Sequence, residues 1–211
     1  GQQLKFVVSP TTGLNHIDLE SLERRSIRLL SLKGEVDFLR SIRATAEHTL
    51  SLILNLMRRC PQACRHVLEG GWNRDLFWGH EIHGKTIGVI GYGRLGRIVA
   101  DYFLALGAHV VVNDPNIDAS QLHPDIQHLS LEELLRVSQL VTLHVSLGST
   151  SKRFFGRPQF DLMKVGAWLI NTSRGELIDG DVRRLRQVIR GELLGRAHVD
   201  DDRAGLRRHV E

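Results

Sequence analysis

Cys60 and Cys64 are the only cysteines in 211 residues. Two thiols cannot build the cross-linked framework of a small secreted domain, so the fold must rest on a buried core, and the expected setting is a reducing, cytoplasmic one. No apolar run reaches the roughly 18–20 residues needed to cross a bilayer. Residues 1–8 lack the charged start and long apolar stretch of a secretory leader. There is no internal repeat and no low-complexity tract. Neither sign of charge is in large excess, with 28 Lys+Arg against 24 Asp+Glu. The arginines do cluster, at Arg183, Arg184, Arg186 and Arg190 and again at Arg207 and Arg208. Aromatic residues make up 6% of the chain, and none interleaves with those arginines to stack on bases. A solvated helix face is therefore expected there rather than a nucleic-acid surface.

What is present is a chain long enough for one full domain and part of another. Residues 4–8 read as a short strand, 9–13 as a turn, 18–25 as a short helix and 27–30 as a further apolar segment. A strongly helical pattern spans 41–59, with Ala46, Leu50, Ile53, Leu54 and Met57 on one face, and Pro61 marks its expected end. Residues 69–83 read as a connector that Trp72, Phe77 and Trp78 pin to a core. From there strands (86–90, 109–113, 140–145, 167–171, 196–199) alternate with helices (95–106, 131–137, 159–163, 179–190). Short links between them predict an α/β fold, a doubly wound parallel sheet of Rossmann type covered on both faces.

The central motif is Gly91-Tyr92-Gly93-Arg94-Leu95-Gly96. Such a motif is informative where it follows a strand and opens a helix, as here. Gly91 permits the tight turn, Gly93 lets backbone approach a pyrophosphate, and Gly96 lets helix and strand pack closely. The helix start, with Arg94 and Leu95, offers free N–H groups to phosphates. Asp114 closes the second strand about twenty residues on, where a carboxylate accepts ribose hydroxyls and repels a 2′-phosphate, favouring NAD over NADP. Arg174 lies past the fourth strand, on the edge of the sheet where ligands of such folds bind. Its guanidinium suits the carboxylate and carbonyl of a 2-oxo acid.

Asn171-Thr172-Ser173-Arg174-Gly175 resembles the signature of the D-isomer-specific 2-hydroxyacid dehydrogenases. So do Ala44-Thr45-Ala46-Glu47-His48-Thr49, Gly84-Lys85-Thr86-Ile87-Gly88, His144-Val145-Ser146-Leu147 and Thr12-Gly13-Leu14-Asn15-His16-Ile17-Asp18. The similarity runs from about Leu4 to Asp200 and is nearest to the phosphoglycerate dehydrogenase and related branches. It implies that residues 1–40 are a remnant of a flavodoxin-like substrate domain and 41–211 the NAD-binding domain. It implies Arg174 as the catalytic arginine. Cofactor contacts are implied at Thr45, Gly91, Gly93, Arg94, Leu95, Gly96, Asp114, His144, Val145, Thr172, Ser173 and Asp200. A homodimer through the helix at 41–59 and the Trp72 region is implied as well.

The family's glutamate and catalytic histidine have no counterpart here. The stretch Gly195 to Gly205 holds no glutamate at the corresponding place, Asp200 is about one residue out of register, and His209 comes too early. The expectation is a chain truncated at both ends that binds NAD but gives little turnover alone. An alternative on the same fold is an NAD-responsive corepressor-like scaffold, which Ile53-Leu54-Asn55-Leu56 with Arg58-Arg59 resembles; a degenerate remnant is a third. No metal site is expected: Cys60, Cys64 and His66 supply three donors where zinc takes about four, and structural cysteines at a helix end are the simpler reading. His80 and His83 lack the i, i+4 spacing of a metalloprotease helix.

Overall fold

The computed structural model describes residues 4–117, 120 and 122–180. Five parallel strands form the main sheet: β3 (Thr86–Ile90), β4 (His109–Asn113), β5 (Ile126–His128), β6 (Leu140–Leu143) and β7 (Trp168–Asn171). Their spatial order is β5-β4-β3-β6-β7, the first five strands of the Rossmann order 3-2-1-4-5-6 with β3 as the first strand. Side chains alternate across it. Ile87, Val89, Val110, Val112 and Leu140 face one core, and Ile90, Val111, Val141 and Leu143 face the other. Burial on both faces is what makes these strands read as continuous apolar runs.

Helices cover both faces. On the first lie α5 (Arg94–Ala105), through Val99, Ala100 and Phe103, and α3 (Ala44–Met57), through Ala46, Ile53 and Met57. On the second lie α6 (Leu131–Val137) and α7 (Arg157–Leu162), through Leu134, Leu135 and Phe160. α6 starts on a capping box. Ser130 Oγ accepts the Glu133 N–H, and Glu133 Oε2 accepts the Ser130 hydroxyl at 2.7 Å. Those bonds from Ser130 lower the Glu133 carboxyl pKa.

Ahead of this sheet, β1 (Phe6–Ser9) and β2 (Arg28–Ser31) pair in parallel across α1 (Leu19–Arg24), and α2 (Val36–Arg40) leads into α3. The segment at 27–30, read as merely apolar, is therefore a strand. α1 is capped by Asp18, which accepts the Ser21 N–H at 2.9 Å.

Several expectations are corrected. The helix expected over 41–59 is α3, Ala44–Met57, and a second helix that was not expected, α4 (Cys60–Leu68), follows it after the left-handed Arg59 (φ 55). α3 has already ended at Met57, and Pro61 sits in the first turn of α4, where its missing N–H costs nothing. Cys60 and Cys64 consequently lie within α4. On α3 the buried stripe is Ala46, Thr49, Ile53 and Met57, while Leu54 is turned outward. Trp72 and Trp78 pin nothing, being 91% and 76% exposed; the connector is held instead by Phe77 against His66 and by His80 against Trp168. β5 and α2 were not expected from the sequence. All but the first two residues of the expected helix at 179–190, the strand at 196–199, Asp200 and the arginine clusters fall outside the described residues. Among the described residues no helix is long and apolar enough to cross a membrane.

Candidate functional site

Beyond the carboxyl ends of β3 and β6, which stay paired to Ile90 and Leu143, lies a crevice at the sheet's switch point, where such folds hold ligands. The chain passes from β3 into the turn Gly91–Gly93. Gly91 has φ +90, and an added Cβ there would press on the His144 carbonyl at 2.7 Å. Its N–H donates to Asn113 O at 2.8 Å. Gly96 packs α5 against this turn so closely that a Cβ would overlap Gly91 O. Gly93 differs from both. It caps α5 with no side-chain bond, and a Cβ there would meet nothing within 4 Å. A side chain at 93 would only fill the crevice, so the bare position is a cradle left for something else. With no side-chain cap, the first N–H groups of α5 have no intrahelical partner.

The crevice opens into a cleft of about 1000 Å³ between this turn and the N-terminal segment. Nine of the residues singled out from the sequence line it: Thr45, Gly93, Arg94, Leu95, His144, Val145, Thr172, Ser173 and Arg174. Gly91, Gly96 and Asp114 do not. The two glycines sit beneath its floor, and Asp114 stands behind the turn. The Asp114 carboxylate accepts the Tyr92 N–H at 2.8 Å and the Asn116 N–H at 2.9 Å, so it also holds the glycine turn in shape. Asp200 lies outside the described residues.

The far wall is a hydrogen-bonded loop. Asn171 Nδ2 donates to Arg174 O at 2.8 Å while its Oδ1 accepts the Ser173 N–H at 3.0 Å. Ser173 Oγ donates to Leu143 O at 2.9 Å, tying the ends of β6 and β7 together. Arg174 Nη1 donates to Ser173 O at 2.9 Å. Its Nη2 lies where a side chain on residue 13 would be, against Gly13. Among the described residues no carboxylate pairs with Arg174, which leaves it positive and open to an anion.

His144 is mostly buried, and burial lowers its pKa to about 4, so the ring is neutral at pH 7. Its Nε2 meets Thr142 Oγ1 at 3.0 Å. Burial likewise raises the Tyr92 pKa, and the Arg97 guanidinium covers that ring at 4.9 Å. Four contributing residues were given no site role from the sequence. Thr49 meets Thr172 Oγ1 at 2.8 Å; its signal was a hydroxyl inside the apolar stripe of α3. Gly13 makes room for Arg174, and the carbonyls of Leu39 and Ile42 hold Arg94. Backbone carbonyls have no sequence signature.

The other large cavity, about 910 Å³, lies around His109, Asp125, Gln127 and Glu133. It opens at the amino ends of β3 and β4 and gathers none of the candidate site residues. Among the described residues no cluster of His, Cys, Asp and Glu suits a metal ion.

A parallel sheet in this order, with a glycine turn opening a bare helix end at its switch point, defines a Rossmann-type dinucleotide-binding protein. Residues 50–200 match the family model described as "D-isomer specific 2-hydroxyacid dehydrogenase, NAD binding domain", and the chain belongs to that family. NAD is thus the cofactor of this domain. Among its relatives, D-3-phosphoglycerate dehydrogenase of Archaeoglobus fulgidus is 34% identical over 84% of this chain and 33% of its own length. Hydroxypyruvate reductase of Thermotoga maritima is 30% identical over 92% of this chain and 60% of its own. Among solved structures, D-lactate dehydrogenase from Aquifex aeolicus, complexed with NAD and lactic acid, superposes with a TM-score of 0.74. It is 32% identical, over 87% of this chain and 54% of that one. The chain thus spans between about a third and three fifths of these relatives.

Proposed function

We propose that this chain belongs to an NAD-dependent oxidoreductase acting on the CH–OH group of a small D-2-hydroxy acid, in the manner of a phosphoglycerate dehydrogenase. In this reading residues 1–40 are part of a substrate domain and 41–211 the cofactor domain. The observation that carries it is Arg174, an arginine without a carboxylate partner among the described residues, in the same cleft as the bare start of α5.

Bound NAD supplies or accepts the hydride. The chain's own groups bind and orient. The backbone N–H groups at Gly93, Arg94 and Leu95 hold the pyrophosphate. Each Asp114 oxygen accepts one N–H and keeps a further lone pair for a ribose hydroxyl. Neutral His144 and Val145 flank the nicotinamide ribose, and Thr45 is a further cofactor contact from α3. Thr172 and Ser173 stand by the nicotinamide. Arg174 grips the substrate carboxylate and polarises the neighbouring carbonyl.

Two measurements test this. Calorimetric titration should give tighter binding of NADH than of NADPH, and the reverse would remove the role of Asp114. Full-length protein should oxidise NADH with a 2-oxo acid, and Arg174→Gln should lower kcat/KM by about 10²–10³-fold. Binding of NADH without turnover on any 2-oxo acid would reject the oxidoreductase reading.

The same reading includes a homodimer. Val67, Leu68, Trp72, Leu76 and Trp78 are exposed on α4 and the connector, as are Leu52 and Leu54 on α3. Such exposed apolar side chains suit a two-fold contact with a second copy. Light scattering should give twice the monomer mass, and Trp72→Glu should halve it. The free thiols of Cys60 and Cys64 support a cytoplasmic location.

A further inference from the structure

The two arginines of the cleft are held differently. Arg174 is bonded within its own loop. Arg94 reaches across to the N-terminal segment, where its Nη1 donates to Leu39 O at 2.9 Å and to Ile42 O at 3.0 Å. These carbonyls belong to the end of α2 and the turn that follows it. Leu39 O also accepts the Ser41 and Ile42 N–H groups, so the guanidinium adds charge-assisted bonds to the carbonyls of an already tight turn.

α3 begins two residues beyond Ile42, and its own cap does little to fix it. Arg43, at the cap position, has a helical backbone and makes no side-chain capping bond. The start of α3 is thus held from outside, by a side chain of α5. What α3 carries in its first turns bears on the cleft. Thr45 forms part of the wall. Thr49, fully buried one turn on, donates its hydroxyl hydrogen to Thr45 O at 2.8 Å. A hydroxyl has one hydrogen, so in the 2.8 Å contact between Thr49 Oγ1 and Thr172 Oγ1 it is Thr172 that donates. Thr172 then faces the cleft with lone pairs, as an acceptor.

We propose that Arg94 is a positioning residue of the cofactor site. By fixing the α2–α3 turn it sets the first two turns of α3, and through Thr49 it sets the direction in which the Thr172 hydroxyl accepts hydrogen bonds. The inference rests on reading the cleft as an NAD site. It gives the Arg94 side chain a task separate from the phosphate contact of its backbone.

The test uses full-length protein carrying Arg94→Gln, Arg94→Lys, Thr49→Val, and Arg94→Gln with Thr49→Val. Hydrogen exchange without cofactor is the first readout. Arg94→Gln should speed exchange at 44–49 by about tenfold while 131–137 stays unchanged. Arg94→Lys, whose ammonium can reach both carbonyls, should restore most of the protection. NADH titration is the second. Both single variants should bind more weakly, and the double variant should fall within about twofold of Arg94→Gln, because the two residues act in series.

Unchanged exchange at 44–49 in Arg94→Gln overturns the proposal even if NADH affinity falls, since lost charge alone would then account for the loss. Strictly multiplicative losses in the double variant overturn it too. If the wild-type protein binds no NADH, the reading of the cleft fails, and the link from Arg94 to the cofactor fails with it. The exchange data would still report separately whether Arg94 holds α3.

Discussion

The segment before α3 and the sheet after it are built from the same unit, parallel strands joined by a helix, yet they are held in different ways. In the main sheet β6 is buried at all four positions and β3 at four of five. In the N-terminal pair β1 is buried at Ser9 alone and β2 nowhere, and α1 buries no residue. The sheet is stabilised by non-directional burial on two faces. The N-terminal segment is fixed by a few directed contacts: Leu39 in the core, Arg94 on the carbonyls of Leu39 and Ile42, and Gly13 under Arg174. Those contacts run through side chains that face the cleft. A region held by its core tolerates little change in volume, whereas one held by a few polar contacts responds to what occupies the site between them.

That contrast can be broken most severely in the core. Phe103 is fully buried, so Phe103→Ala should cost about 3–5 kcal/mol. Phe6→Ala on β1, where the ring is 49% exposed beneath Arg28, should cost less than about 1 kcal/mol. Denaturant titration of both variants measures the difference, and equal losses would erase the distinction.

The next effect is one of pH. An unfolded imidazole takes its proton near pH 6.5, whereas His144 does so only at about 4. Between those values the unfolded chain binds more protons than the folded one. Stability should therefore be full above about pH 6.5 and fall by about 2–3 kcal/mol as the pH drops to 4. His144→Gln should flatten that part of the stability–pH curve, and a curve of unchanged slope would reject the assignment.

Gly91→Ala should come third. It forces a side chain into φ +90 and against the His144 carbonyl. A loss of about 2 kcal/mol is expected, together with weakened NADH binding measured by titration. The smallest change in stability belongs to Gly13→Ala, below about 1 kcal/mol, because the Arg174 guanidinium it meets can swing aside. Displacing that group should raise KM for a 2-oxo acid while leaving NADH affinity unchanged. An unaltered KM would show that the Gly13–Arg174 contact plays no part in substrate binding.

Much of the fold was legible because its signals are local. β3, β4 and α6 have the ends expected from their residue patterns. β5 was missed because only Ile126 of its three residues is apolar, and its extended shape comes from pairing with Val110–Val112. α4 was missed because a proline reads alike as a stop and as a first-turn residue. The left-handed Arg59 that separates the two roles leaves no mark on composition. Trp72 and Trp78 look like core residues, but nothing in this chain covers them among the described residues.

The amino-acid order by itself determined the glycine turn, the acid that follows it and the arginine past β7. Each is dictated by a local need: a left-handed backbone position, a bare helix start, a charge at a strand end. Only the tertiary structure decided what those residues do for one another. It put Gly93 alone of the three glycines on the cleft, gave Asp114 the Tyr92 N–H to hold, and sent Arg94 across to Leu39 and Ile42. These partners are backbone groups brought close by packing, and every residue carries the same backbone, so no pattern of side chains can announce which one will be met.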